Sequence, residues 1–151
     1  MKRISAGVVG GALAFGAAIW IGTASPQSGS PAPVSLDPDK IAGLGLTAIP
    51  PDAYQDILVG GKLDMQVATL FEGKELRVSI FESTPAKTDH RTRPTDVDEF
   101  VYVLSGKLIL TEPNDTRHEY VPGDSLVLPI GYMGTWEMQG NYRELVVLAQ
   151  R

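Results

Sequence analysis

Few side chains in this 151-residue chain can do chemistry. Cysteine is absent, which removes thiolate ligation, a thiol nucleophile and a disulfide framework. Two histidines, His90 and His118, are too few for a histidine-rich metal site. What remains is a set of carboxylates with aromatic and basic neighbours. Glu82 ends the run 76–82, whose alternation puts Leu76, Val78, Ile80 and Glu82 on one strand face and Arg77, Ser79 and Phe81 on the other. Glu99 opens the apolar run 99–104, and Trp136 lies in 135–139. A buried carboxyl holds its proton more tightly and can act as general acid or base; a pair can divide the two roles. A basic cluster, Lys87-Thr88-Asp89-His90-Arg91-Thr92-Arg93, stands out in a chain of net charge −5. Its arginines suit a planar anion, or they pair with Asp89, Asp96 and Asp98. His118, between Arg117 and Glu119, reads as a surface residue. The negative charge argues against nucleic-acid binding, and no phosphate-cradling loop, G-x-S-x-G elbow or dinucleotide fingerprint is present.

The elements that must position these groups are strands. Sixteen glycines and eleven prolines favour turns over long helices. Asp37-Pro38 reads as the start of a short helix stopped by Gly43 and Gly45, and Pro50-Pro51-Asp52 as a further turn of helix. From residue 65 the pattern has period 2. Strands are expected at 65–70, 76–83, 99–104, 107–112, 117–121, 125–130, 135–139 and 142–148, with a polar loop over 84–98. Turns are expected at Glu72-Gly73-Lys74, Ser105-Gly106, Pro113-Asn114-Asp115, Pro122-Gly123-Asp124 and Gly140-Asn141. Many short strands with regular turns predict an all-β jelly roll or small barrel.

The N-terminus has a different character. Lys2 and Arg3 precede an apolar stretch from Ile4 to Ala24, and no charge follows until Asp37. This predicts an apolar helix over residues 1–24 that serves as a cleaved signal peptide or a retained membrane anchor, leaving the rest of the chain periplasmic or otherwise extracytoplasmic. Residues 25–36 read as a Pro/Ser/Gly linker, and 37–151 as a single domain.

Within that domain the sequence resembles the cupins. Ala86, Thr92, Pro94, Glu99 and Gly106 fall at the positions of the first cupin motif, and Gly123, Pro129, Gly131, Gly134 and Met138 at those of the second. The stretches 82–86, 98–106, 122–124 and 129–137 are similar to the ureidoglycine aminohydrolase-like cupins. The resemblance implies a cupin-type double-stranded β-helix, a jelly-roll barrel, with its motifs over 84–138. It also implies a metal held by three histidines and a glutamate. The histidine positions are Thr92, Pro94 and Gly134 here, so only Glu99 remains and no metal cofactor is expected. If Glu99 points into the barrel as the motif implies, so do Val101, Val103, Trp136 and Met138. Glu82 is then expected at the cavity rim. Phe100 and Tyr102 face the other way, toward an N-terminal strand or a second subunit, since cupins often form homodimers.

Three functions follow as expectations. The first is an exported, metal-free cupin that binds a small polar or anionic molecule through Glu99, Trp136, Tyr132, His90 and Arg93. The second, implied by the resemblance, is a metal-independent hydrolase or aminohydrolase acting on a ureido or amino compound, with Glu99 and Glu82 as its acid and base. The third is a structural or oligomerisation module without a ligand.

Overall fold

The computed structural model describes residues 31–150, so the expected apolar helix over residues 1–24 lies outside the described residues. Residues 31–37 carry no regular structure. A four-residue helix, α1 (Pro38–Ile41), follows; Asp37 caps it by accepting from the Asp39 amide at 3.0 Å, and Pro38 begins it. A 3-10 turn spans Pro51–Ala53.

Nine strands make one curled sheet: β1 (Thr47–Ala48), β2 (Leu58–Gly61), β3 (Met65–Glu72), β4 (Leu76–Ser83), β5 (Ala86–Asp89), β6 (Glu99–Thr111), β7 (Arg117–Tyr120), β8 (Ser125–Leu128) and β9 (Thr135–Ala149). Two long strands organise it. The second half of β9 pairs with β4 and with the start of β6, whose other edge takes β8. The first half of β9 pairs with β5 and with the end of β6, whose other edge takes β7. Strands β6 and β9 therefore belong to both arms of the sheet and carry the chain around the bend between them. Apolar side chains from both arms meet in one core, including Val101 and Val103 from one arm and Leu108 and Leu110 from the other, all at most 2% exposed.

The bend explains where the strand expectations fail. Ser105-Gly106 and Gly140-Asn141 were expected to end strands; instead pairing continues past both, with Ser105 opposite Arg143 and Lys107 opposite Gln139. The register shifts twice here, so the residues form bulges within long strands. Gly106 has φ +71°, and a Cβ on it would come 2.7 Å from both the Gln139 carbonyl oxygen and Tyr142 Cα. Only glycine meets both demands. The true hairpin turns are 72–74 and 113–115, where Gly73 donates to the Leu76 carbonyl and Thr116 to Asn114 Oδ1; the turn at 122–124, where Val121 donates to Asp124 Oδ2, joins β7 and β8, which pair with different stretches of β6 and not with each other. Three strands were not expected: the two-residue β1, and the pair β2 and β5. β5 lies inside the expected polar loop because Ala86-Lys87-Thr88-Asp89 lacks an apolar alternation, and its partner β2 contains Gly60-Gly61, which reads as a turn.

Gly106→Ala is expected to cost about 3 kcal/mol or more, from left-handed backbone strain plus overlap with two backbone atoms. Gly123→Ala shares the positive φ (+97°) but meets nothing within 4 Å, and should cost about 1 kcal/mol. Urea unfolding of the two variants measures the difference.

Candidate functional site

Cross-strand register decides which side chains reach the barrel interior. Phe81 on β4 stands opposite Val67 of β3 and Glu144 of β9; Ser83 stands opposite Met65 and Tyr142. Met65, Phe81, Tyr142 and Glu144 all line one cavity. The face of β4 that looks inward is therefore the Ser79, Phe81 and Ser83 face, not that of Val78, Ile80 and Glu82. This corrects the expected phase. Ile80 is fully buried, yet on the opposite face. Glu82 is not on the cavity wall: it is partnered across the strand pair with Arg143, whose Nε donates to its Oε2 at 2.7 Å. The misphasing arose because the apolar set Leu76, Val78 and Ile80 lies on the face away from the cavity, while the inward face carries Ser79, Phe81 and Ser83, so hydrophobic alternation pointed to the wrong side.

The cavity measures about 80 Å³, room for a few waters or a molecule of a few heavy atoms. Glu99 enters it from the start of β6, and Trp136 and Met138 from β9, as the cupin motif implied. The segment after β5 supplies His90, Arg93, Pro94 and Asp96. The carboxyl that accompanies Glu99 is Glu144, which the sequence reading missed. Its signal was present: the alternation that places Trp136 and Met138 inward runs on through Tyr142 and Glu144. Reading Gly140-Asn141 as a turn broke that phase.

Glu144 is 5% exposed and accepts a hydrogen bond from the Tyr142 hydroxyl. Burial pushes its carboxyl up to about 7, with the Tyr142 bond opposing the rise. Burial, then the charges of Glu144 and Asp96, push Glu99 up to about 8. Everything acting on Glu99 favours its proton; no neighbouring cation offsets the pair. The Tyr142 hydroxyl is itself held neutral by burial and by Glu144.

His90 lines the same cavity. It is 5% exposed and stacks on Trp136 with ring centroids 4.7 Å apart. Its amide donates to the Gly134 carbonyl, and its Nε2 shares a 3.0 Å hydrogen bond with Thr88 Oγ1. Burial, then the Arg93 charge, push its imidazole down to about 4, so it is neutral at physiological pH. The Arg93 guanidinium is anchored on both Asp56 oxygens at 2.9 Å and on the Ala53 carbonyl. Arg91 pairs with Asp89. The basic cluster is thus largely neutralised, Arg91 by its neighbour as expected and Arg93 by Asp56, which the sequence did not suggest. Trp136 Nε1 and Arg93 Nε are buried without a partner among the described residues.

Tyr132 is not on this wall. It lines a separate shallow groove with Leu110, Glu112, His118 and Tyr120, at the edge where β7 pairs with β6. His118 is only partly exposed and bonds Glu112 Oε1 at 2.6 Å. Phe100 and Tyr102 are each 40% exposed, on the outer face of β6.

This geometry has known parallels. Residues 71–144 match the family model of the EutQ-like cupin domain. The domain has a cupin fold. A protein of unknown function from Pseudomonas syringae pv. tomato is 24% identical, with a TM-score of 0.60 over 68% of this chain and 43% of that one. The chain thus spans less than half the length of that relative. The EutQ protein of Clostridium difficile is 19% identical, with a TM-score of 0.52 over 63% of this chain and 76% of that one. The polyketide cyclase RemF of Streptomyces resistomycificus is 20% identical, with a TM-score of 0.50 over 70% and 74%. These likenesses carry the fold. No curated protein matches the sequence.

The metal that the resemblance implies does not fit the residues of this cupin-fold domain. Thr92, Pro94 and Gly134 offer no imidazole. A side chain at Gly134 would begin 2.5 Å from the Thr111 carbonyl oxygen. Among the described residues no three His, Asp or Glu side chains group so as to hold an ion.

The raised proton affinity of Glu99 has a stability consequence. Folding favours its protonated form, so its contribution is fully present below the ordinary carboxylate value of 4.5 and is lost as pH rises toward about 8. His90 acts in the opposite sense, losing stability as pH falls from 6.5 toward about 4. The variant Glu99→Gln isolates the carboxyl: its melting temperature should exceed that of the parent by several degrees more at pH 8 than at pH 5. An equal gap at both values would place Glu99 in water.

Proposed function

We propose that this cupin binds a small polar molecule in its barrel without a metal, and that it does so outside the cytoplasm. The observation that carries the binding reading is the pair Glu99 and Glu144 inside an apolar, aromatic-walled cavity. Desolvated acids are costly, and a cavity beside them gives a ligand the means to recover that cost. Trp136, braced by His90, supplies a flat wall. Among the groups expected to touch a ligand, Glu99, Trp136, His90 and Arg93 line this one cavity; Glu144 joins them, and Glu82 and Tyr132 leave the set. Export rests on Lys2-Arg3 and the apolar run behind them.

A second reading is favoured by one observation, the two acids with different surroundings. Glu99 protonated near neutrality and Glu144 partly ionised form an acid and a base in one cavity. A metal-independent hydrolase or aminohydrolase acting on a ureido or amino compound would use them so, with Glu144 in the place first given to Glu82.

A thermal-shift and Trp136-fluorescence screen of small metabolites against the full chain tests the binding reading. Hits should lose at least tenfold in affinity in Glu99→Gln and in Trp136→Ala, each still folded. A silent screen overturns the reading. Turnover that survives chelator and disappears in Glu99→Gln would select the enzyme instead. Fusion of residues 1–36 to a reporter active only outside the cytoplasm should yield activity that Lys2→Glu with Arg3→Glu reduces.

A further inference from the structure

We propose that the Arg93 side chain is the gate of the cavity. It closes a seam between two non-strand segments while bound to Asp56 and the Ala53 carbonyl, and it opens that seam when those bonds pass to water. The proposal rests on the binding reading above only for what passes the gate.

Two segments outside the strands border the cavity at this seam. Residues 90–98 join β5 to β6, and Arg93, Pro94, Thr95, Asp96 and Val97 line the cavity in unbroken succession. The stretch that follows the 3-10 turn contributes Ile57. The first segment is held firmly on one flank. The Thr95 amide donates to the Tyr132 carbonyl at 3.1 Å, and the Thr95 carbonyl accepts from the Gly131 amide at 2.7 Å. The Thr95 hydroxyl donates to the Pro129 carbonyl at 2.8 Å and accepts from the Tyr132 amide at 2.9 Å. At its start the Arg93 amide donates to the His90 carbonyl, and the His90 amide to the Gly134 carbonyl. These bonds tie the segment to the loop between β8 and β9, not to the 3-10 turn.

Across the other flank the link is a side chain. Arg93 donates through Nη1 to both Asp56 oxygens at 2.9 Å and through Nη2 to the Ala53 carbonyl at 2.8 Å. The backbone it reaches is fixed by other bonds. Tyr54, 3% exposed, donates its hydroxyl to the Leu63 carbonyl, and the Ile57 carbonyl accepts from the Asp89 amide. Release of Arg93 therefore moves a side chain and leaves strands and loops in place.

Two observations make that release easy. The Asp56 side chain is 60% exposed against 18% for Arg93, so water and salt reach the pair from its acid side. Arg93 Nε is buried with no partner among the described residues. The closed position thus leaves one donor unpaired, and a guanidinium swung into solvent regains that hydrogen bond. The bonds that close the gate are offset in part by this penalty.

The test is quenching of Trp136 fluorescence by acrylamide, a small neutral amide, in the full chain carrying Trp20→Phe, which leaves Trp136 as the one indole. Trp136 lines the cavity that the seam borders. Asp56→Asn and Arg93→Ala should each raise the quenching constant about two- to fivefold, the population change expected on losing an exposed ion pair. In the parent the constant should also rise between about 0.05 M and about 1 M NaCl, and Asp56→Asn should abolish that salt response. Arg91→Ala breaks the neighbouring pair with Asp89 and should leave the constant unchanged. Thermal melts accompany each variant, because a merely loosened fold lowers the melting temperature without removing a salt response. Should Arg93→Ala not fold, Asp56→Asn, at an exposed position, decides. Equal constants in the parent and Asp56→Asn, or an equal rise in Arg91→Ala, overturn the gate. Neither result bears on the metabolite screen, and a silent screen leaves the gate standing.

Discussion

Two acids share one apolar cavity, and most of the local structure answers to that constraint. A carboxyl removed from water keeps its proton or finds a partner. Glu144 has a partner in the Tyr142 hydroxyl, two residues along the same strand. Glu99 is left to the influence of Glu144 and Asp96, both of which oppose its ionisation. Near neutrality Glu99 is thus mostly protonated and Glu144 partly ionised.

The bend in β6 and β9 brings these acids together. Glu99 and Glu144 are far apart in sequence, and they lie at different steps of the paired strands, Glu99 opposite Leu148 and Glu144 opposite Val103. The bulges at Ser105-Gly106 and Gly140-Asn141 turn the second arm of the sheet so that Trp136 and Met138 join the same cavity. Gly106 permits this because its backbone lies against Gln139 and Tyr142 with no space for a side chain. The glycine that shapes the bend thus touches the residue that partners one of the acids. Fold and site are coupled there through direct contact.

The usual metal positions of the fold show a related economy. Where a histidine would stand, Gly134 packs against the Thr111 carbonyl and gives its own carbonyl to the His90 amide. His90 is thereby turned to stack on Trp136, and it is buried and neutral. The imidazole has become part of an aromatic wall. Arg93, on the wall of the same cavity, is paired with Asp56.

Residue order and type settled the class of fold, because period-2 alternation, turn chemistry and cupin spacing are local properties that persist in any β structure. They placed Glu99 and Trp136 in the barrel, and they identified the helix cap at Asp37, the hairpins at 72–74 and 113–115, and the turn at 122–124. Tertiary structure decided which face of β4 looks inward, since the more apolar face, Leu76, Val78 and Ile80, packs away from the cavity and only pairing with β3 and β9 reveals it. It decided that Gly106 and Gly140 bend strands rather than end them, because a left-handed glycine serves either purpose until a partner strand continues past it. It replaced Glu82 by Glu144 beside Glu99, a choice made by strand register across 45 residues of chain. No window of sequence contains that distance.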